Sequence, residues 1–148
     1  MSTPFCLHLP RRLYAEMLAQ AVAELPHECC GLLAGSLEGK EGGKRIGRVL
    51  RRYPLVNAAA SPVEFVSEPH SMFAADRDMH RLGLDVLAVY HSHPASDPVP
   101  SRTDLQRNYS PDVMNLIISL KGAEPQVRGW WLDADHYHEG EWQRTEAD

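Results

Sequence analysis

The sequence predicts an α/β layered domain, and three observations carry the prediction. Short apolar runs bounded by glycine, proline and polar residues alternate with stretches of helical periodicity. The run Leu84 to Tyr90 is almost continuously apolar, the mark of a strand covered on both faces. Helical segments fall before and after the central strands, so a mixed central sheet is expected to carry helices at its flanks. At 148 residues the chain has the usual size of one compact unit, and residues 1–148 are read as a single domain.

The elements follow in order. Phe5 to Leu9 alternates weakly and reads as an edge strand. Arg11 to Leu25 places Leu13, Met17, Val22 and Leu25 near helical spacing, with Pro26 as its stop. Cys30 to Gly35 reads as a buried strand, Gly39 to Gly43 as a turn, and Arg45 to Val56 as a half-solvated strand. Val63 to Ser67 reads as a further short strand. Pro69 to Leu82 carries Met72, Phe73, Met79 and Leu82 at helical offsets and reads as a second helix. A proline-rich loop, Pro94 to Pro100, leads into a helix start at Ser101. Val113 to Leu120, Gln126 to Leu132 and His136 to Arg144 read as three closing strands, and Thr145 to Asp148 as a loose tail.

Composition excludes several classes. A net charge of -5 and a pI near 5.9 leave no basic stripe for nucleic acid or anionic membrane. No stretch approaches the roughly 18 apolar residues of a membrane span. The three cysteines, Cys6, Cys29 and Cys30, are odd in number, and two are adjacent, which argues against a disulfide scaffold. The N-terminus shows no signal-peptide pattern, so a cytoplasmic setting is expected.

The chemistry concentrates in His91-Ser92-His93-Pro94 and the Ser101 to Asp104 stretch behind it. Two histidines two apart on a strand point their imidazoles to the same face. Imidazole suits zinc, and a catalytic zinc site takes three protein ligands and leaves a position open. Asp104, in the first turn of the next helix, is the natural third ligand, delivered by a loop that Pro98 and Pro100 stiffen. Hydrolysis also needs a proton shuttle, and a glutamate in a partly apolar pocket has the right pKa for it. Glu28, between Pro26 and the strand from Cys30, has such a place, and the Ser101 hydroxyl is placed to donate to an oxyanion. Each piece alone has a plainer reading: a His-x-His is more often a packing pair, and Ser101 to Asp104 alone fits a capping box. Their combination favours a metal site. His136 and His138, also two apart, read as a solvated face, and Cys29 and Cys30 as small packing residues.

These residues resemble the JAMM family of metallopeptidases, also called MPN+ or Mov34-like. Its pattern is an upstream glutamate, then His-Ser/Thr-His-Pro, six residues, Ser, two residues and Asp. Here it is met by Glu28, His91-Ser92-His93-Pro94, Ala95 to Pro100, Ser101 and Asp104. The Pro26 to Gly35 segment and the Asn57 to Pro62 run are similar to the short prokaryotic branch. The resemblance implies a cytidine-deaminase-like α/β sandwich, zinc held by His91, His93 and Asp104, Glu28 as general base and Ser101 as oxyanion donor. It further implies a hydrolase of peptide or isopeptide bonds at the C-terminal Gly-Gly end of ubiquitin-like or sulfur-carrier β-grasp proteins. Two other readings stay open at this stage: a non-catalytic MPN-type scaffold, and a DNA-repair-associated relative.

Overall fold

The computed structural model describes residues 4–146. Residues 1–3 and the end of the expected tail, residues 147 and 148, lie outside the described residues. The chain runs β1 (Cys6–Pro10), α1 (Arg11–Ala23), β2 (Cys30–Glu41), β3 (Lys44–Leu55), α2 (Pro69–Leu82), β4 (Asp85–His93), α3 (Arg102–Gln106), β5 (Met114–Ser119), β6 (Gln126–Asp133), β7 (His136–Gly140) and β8 (Trp142–Thr145). The strands form one eight-stranded mixed sheet in the order β7-β6-β5-β4-β2-β3-β1-β8. Among the described residues, no helix is long and apolar enough to cross a membrane.

Strand β4 lies near the middle, antiparallel to β2 and parallel to β5. Its residues from Leu87 to His93 are buried, as a strand covered on both faces requires. The two faces are told apart by what packs on them. Leu33, Tyr90 and Leu116 meet Leu13, Met17 and Ala21 of α1. Their neighbours Leu32, Ala34 and Val89 turn the other way and meet Ala75 and Met79 of α2. A helix on each face of a mixed sheet agrees with the α/β layering expected from the sequence.

The sheet is curled. β7 and β8 stand at opposite ends of it, yet only Glu141 separates them in the chain. One intervening residue lets its neighbours sit at most about 7 Å apart, whereas eight flat strands would hold the two edges roughly 34 Å apart. The ends must therefore come round toward each other. A hydrogen bond from the Leu7 N–H to the Glu141 carbonyl (3.0 Å) holds that seam.

Several boundaries differ from the sequence reading, each for a physical reason. β1 is no edge strand, because the curl lets β8 pair with it in parallel while β3 pairs on its other side. The stretch read as one strand from His136 to Arg144 is therefore two strands, broken at Glu141. Helix α1 ends at Ala23, and its buried stripe is Leu13, Met17 and Ala21. Val22 lies nine residues from Leu13, half a revolution round the helix, and is 55% exposed. Strand β2 continues past Gly35 to Glu41, so the turn shrinks to Gly42 and Gly43, whose φ of 61° and 83° suit a tight hairpin. Val63 to Ser67 is a loop with one isolated bridge from Ser67 to Asn57. By contrast, α2 spans the expected residues. The Glu68 carboxylate caps it by accepting from the His70 and Ser71 N–H groups (2.8 and 2.7 Å), Pro69 sits in its first turn, and Gly83 (φ 68°) closes it.

The β2–β3 pairing admits no extra atom at Gly35, where a Cβ would stand 1.8 Å from the Arg48 carbonyl oxygen. Backbone cannot swing aside as a side-chain tip does. Gly35→Ala is expected to cost about 2–4 kcal/mol in urea unfolding. Gly39→Ala in the same strand, with open space around its Cβ, is expected to stay within about 0.5 kcal/mol of the parent.

Candidate metal centre

The site lies at the carboxyl end of β4. His91 and His93 share a face there, with β2 paired on one side and β5 on the other. Cross-strand pairing sets His91 opposite Cys30 of β2 and Ile117 of β5, and His93 opposite Ser119 of β5. Both rings are buried. The chain then leaves the sheet through the proline-rich loop, which three bonds hold in place. The Trp130 indole N–H donates to the Pro98 carbonyl (2.8 Å), the Ser119 hydroxyl donates to the Ser96 carbonyl (2.7 Å), and the Leu120 N–H donates to the His93 carbonyl (3.1 Å). Leu105 and Val99 pack on Ile117, Trp130 and Leu132, which seats α3 against the same face as the histidines.

Helix α3 is only five residues long, so its first turn decides its placement. The Ser101 hydroxyl accepts from the Asp104 N–H (3.1 Å), and the Asp104 carboxylate accepts from the Ser101 N–H (2.9 Å). This is a reciprocal capping box. It turns one oxygen of Asp104 toward the two histidines. Capping and ligation are thus not competing readings of Ser101 and Asp104, since the cap is what aims the carboxylate.

The three donor atoms form a near-equilateral triangle. His91 Nε2, His93 Nε2 and Asp104 Oδ2 are 3.2 Å from one another on every side. Three tetrahedral ligands at zinc distances of 2.0–2.1 Å would stand roughly 3.3–3.4 Å apart. The donor set and its spacing therefore fit a four-coordinate metal with one position left over. His93 Nδ1 faces the Asp97 carbonyl at 2.8 Å, which places a proton on Nδ1 and leaves Nε2 as a lone pair for the metal. The Phe65 ring stacks on His91 (centroids 4.7 Å apart) and limits how far that imidazole can tilt. Among the described residues this is the one group of three or more His, Cys, Asp or Glu whose donor atoms converge, and all three members are buried.

Glu28 stands beside the triangle. The Cys29 N–H donates to the Ser92 hydroxyl (2.8 Å), and the Ser92 N–H donates to the Cys29 carbonyl (3.2 Å). The register beyond Cys30 and His91 thus continues, with Glu28 opposite His93. The Glu28 N–H donates to the Ser61 carbonyl (2.8 Å), and its carbonyl accepts from the Asn57 amide (3.0 Å). Asn57 also accepts from the Ala59 and Val66 N–H groups, so one buried side chain organises the whole 57–66 loop. The backbone of Glu28 is pinned, while its carboxylate has a buried oxygen, Oε1, with no hydrogen-bond partner.

That environment sets the proton affinities. Burial pushes the Glu28 carboxyl up to about 8, partly offset by His93 and reinforced by Asp104 and Glu64. Burial alone would also raise Asp104. The adjoining imidazoles of His91 and His93 and the hydrogen bond from the Ser101 N–H overcome it and hold this carboxyl well below the usual range. Burial would lower His93, yet its bonds to Asp104 and Asp97 and the charges of Asp104 and Glu28 raise it. The cluster is built to surround positive charge.

All five predicted residues converge here. The sequence reading gave no positioning role to Ser92, Asn57, Trp130 or the Asp97 carbonyl, which hold them in place. His136 and His138 lie far along the sheet on β7, apart from this cluster. Cys29 and Cys30 are buried, with burial pushing their thiols up to about 11 and about 12, so they are inert packing groups. Trp130 and Trp131 are core residues as well.

A carboxyl raised from 4.5 to about 8 binds more protons folded than unfolded across that interval, so it contributes stability below pH 4.5 that is lost as pH rises through 8. In metal-free protein, Glu28→Gln removes that loss. The variant is expected to match the parent near pH 4 and to exceed it by on the order of 2 kcal/mol above pH 8, measured by urea unfolding across pH.

Comparison with known proteins agrees with this geometry. The model of the family described as prokaryotic homologs of the JAB domain matches residues 10–133. A desampylase of Haloferax volcanii is 36% identical over 103 residues, 69% of this chain and 69% of its own. A CysO-cysteine peptidase of Mycobacterium tuberculosis is 31% identical over 119 residues, 80% of this chain and 77% of its own. The solution structure of a protein from Desulfitobacterium hafniense superposes with a TM-score of 0.81 at 34% identity, covering 95% of this chain and 94% of that one. With the family model spanning both helix faces, the β4 histidines and Asp104, the chain belongs to the prokaryotic homologs of the JAB domain.

Proposed function

We propose that this chain is a zinc metallopeptidase of one domain, with a cytidine-deaminase-like sandwich, that cleaves a peptide or isopeptide bond at the C-terminal Gly-Gly end of a ubiquitin-like or sulfur-carrier β-grasp protein. The observation that carries the proposal is the equilateral donor triangle of His91, His93 and Asp104 with the unpartnered Glu28 carboxylate beside it. The names of two relatives, a desampylase and a CysO-cysteine peptidase, support a hydrolase acting at a protein terminus or conjugate. An intact donor set weighs against a scaffold, and the acidic balance weighs against nucleic acid. Cys29 and Cys30 are buried thiols that form no disulfide among the described residues, which supports a reducing cytoplasmic setting.

His91, His93 and Asp104 would hold the zinc. When bound, the metal supplies Lewis acidity at the scissile carbonyl and lowers the pKa of water toward neutrality. The rest is done by the chain. Glu28, whose raised pKa favours both accepting and releasing a proton, takes one proton from the attacking water. It then passes that proton to the amine nitrogen as the carbon–nitrogen bond breaks. The Ser101 oxygen already accepts from the Asp104 N–H, so its own proton is left to donate to the carbonyl oxygen as negative charge develops there. Cys29 and Ser92 fix Glu28 opposite His93, so the shuttle and the metal ligands keep one geometry.

Zinc at a hundredfold excess over its Kd is expected to stabilise the parent by about 2.7 kcal/mol. His93→Ala should show no such response, and equal stabilisation of that variant in thermal melts would refute the ligand assignment. Given a β-grasp protein extended beyond its Gly-Gly end, the zinc-loaded parent is expected to release the extension, as read by mass spectrometry. Glu28→Gln should retain about one zinc per chain and lose on the order of 10²–10⁴ in rate. Parental turnover by that variant would remove Glu28 from the role of base.

A further inference from the structure

Beside the donor triangle lies a cavity of about 120 Å³ that the proton shuttle does not use. Leu32, Leu55, Phe65, Met72 and Val89 give it a mainly apolar wall, Ser67, Thr103 and Asn115 add polar groups, and His91 and Asp104 also line it. Arg107 and Tyr109 stand exposed at its mouth. A dry apolar cavity of about 150 Å³ holds a benzene molecule, so this one suits a four- or five-atom aliphatic side chain. Its place at the metal ligands puts any occupant next to the bond being cut.

The residue that supplies that side chain follows from the reading above, on which this inference rests. Two glycines before the scissile bond have no side chain to place, so the occupant comes from the residue after it. A lysine stem in an isopeptide bond would have to run on through the cavity to reach its own protein. The floor closes that path, since Leu32, Leu55 and Val89 are buried beneath it. A terminal residue needs no such exit.

Arg107 supplies a second feature. It caps the C-terminal end of α3, three residues after Asp104, and both residues line the cavity. Its guanidinium donates to the Phe65 carbonyl (3.5 Å) and pairs with Glu64 at 3.4 Å, both on the facing loop. This pair is half exposed and long, so it exchanges readily for a better carboxylate. A planar guanidinium is well matched to a free α-carboxylate. We infer that the cavity takes the side chain of a single C-terminal residue of leucine or methionine size, and that Arg107 receives its free carboxylate. The protein then trims one apolar residue from a Gly-Gly end and is poor at lysine-linked conjugates.

The test has a binding arm and a cleavage arm. In the first, ¹⁵N-labelled metal-free protein is titrated with leucine, leucinamide and aspartate. Leucine is expected to shift the resonances of Leu55, Phe65, Met72 and Arg107, with leucinamide and aspartate at least fivefold weaker. Arg107→Ala should erase the difference between leucine and leucinamide. In the second, zinc-loaded enzyme is given one β-grasp protein ending in Gly-Gly-Leu, Gly-Gly-Gly, Gly-Gly-Asp or Gly-Gly-Leu-amide. The leucine form is expected to be cleaved at least tenfold faster than each of the others, and Met72→Trp should slow it at least tenfold more than the glycine form. Cleavage of all four at one rate, with no leucine-specific shifts, would overturn the inference and leave the peptidase reading standing. Leucine-specific shifts without cleavage of any form would overturn the substrate reading and support the cavity as a site for an apolar amino acid.

Discussion

The arrangement depends on one short stretch of strand pairing, where Ser92 and Cys29 exchange two hydrogen bonds across 63 residues of chain. One bond is an ordinary ladder contact from the Ser92 N–H. The other comes from the Ser92 hydroxyl, which accepts the Cys29 N–H just where the regular β2–β4 ladder ends. A buried N–H without that acceptor would cost about 1–3 kcal/mol. Because period two sends Ser92 to the face opposite His91 and His93, it locks Glu28 without entering the site. His91, His93 and Glu28 are thus set by the same strand pairing, while Asp104 comes in from α3.

Burial then turns that geometry into chemistry. Asp104, His91, His93 and Glu28 are all almost inaccessible, and water is not there to soften their mutual influence. Two carboxylates near one another are expensive in such surroundings unless positive charge separates them. The structure resolves this unequally. The Ser101 N–H and the two imidazoles keep Asp104 ionised, while Glu28 has no partner for its buried oxygen and holds its proton far above the usual range. Two acids of similar intrinsic strength are driven apart in this way, as the proposed ligand and the proposed acid–base group require.

Much of this was legible in the sequence, and what was not has a common cause. The β4 run, the paired histidines and the ends of α2 are local signals: apolar continuity, period two, a capping glutamate before proline, and a closing glycine. The spacing to Ser101 and Asp104 is local too. What escaped depends on partners far away in the chain. The apolar, β-branched Val63 to Ser67 stretch looks like a strand, but the Asn57 amide and carbonyl oxygen take its backbone groups and bend it into a loop. The central position of β1 follows from the curl at Glu141, which no pattern within Phe5 to Leu9 could reveal. The α1 stripe was misjudged by choosing the larger Val22 over Ala21, although angular position and not size decides which residue faces inward.

The two faces of the sheet divide the work between stability and function. The α1 face is the larger and tighter cluster, with Tyr90, Leu116, Trp131 and the α1 stripe fully packed. Its Tyr90 hydroxyl is satisfied by Arg52 and Gln20, while the Trp131 indole N–H is buried there without a partner. The α2 face holds the cavity, the unpartnered Glu28 oxygen and the crowded histidines, each of which costs stability. A single-faced sheet could not carry both. Placing β4 between them solves this, because alternate residues of one strand serve opposite requirements: Ala88, Tyr90 and Ser92 anchor, while Val89, His91 and His93 face the cavity and the donor triangle. The strain of the site is therefore held by a core that the site itself does not touch, and ligand or cavity changes on one face can proceed without unfolding the other.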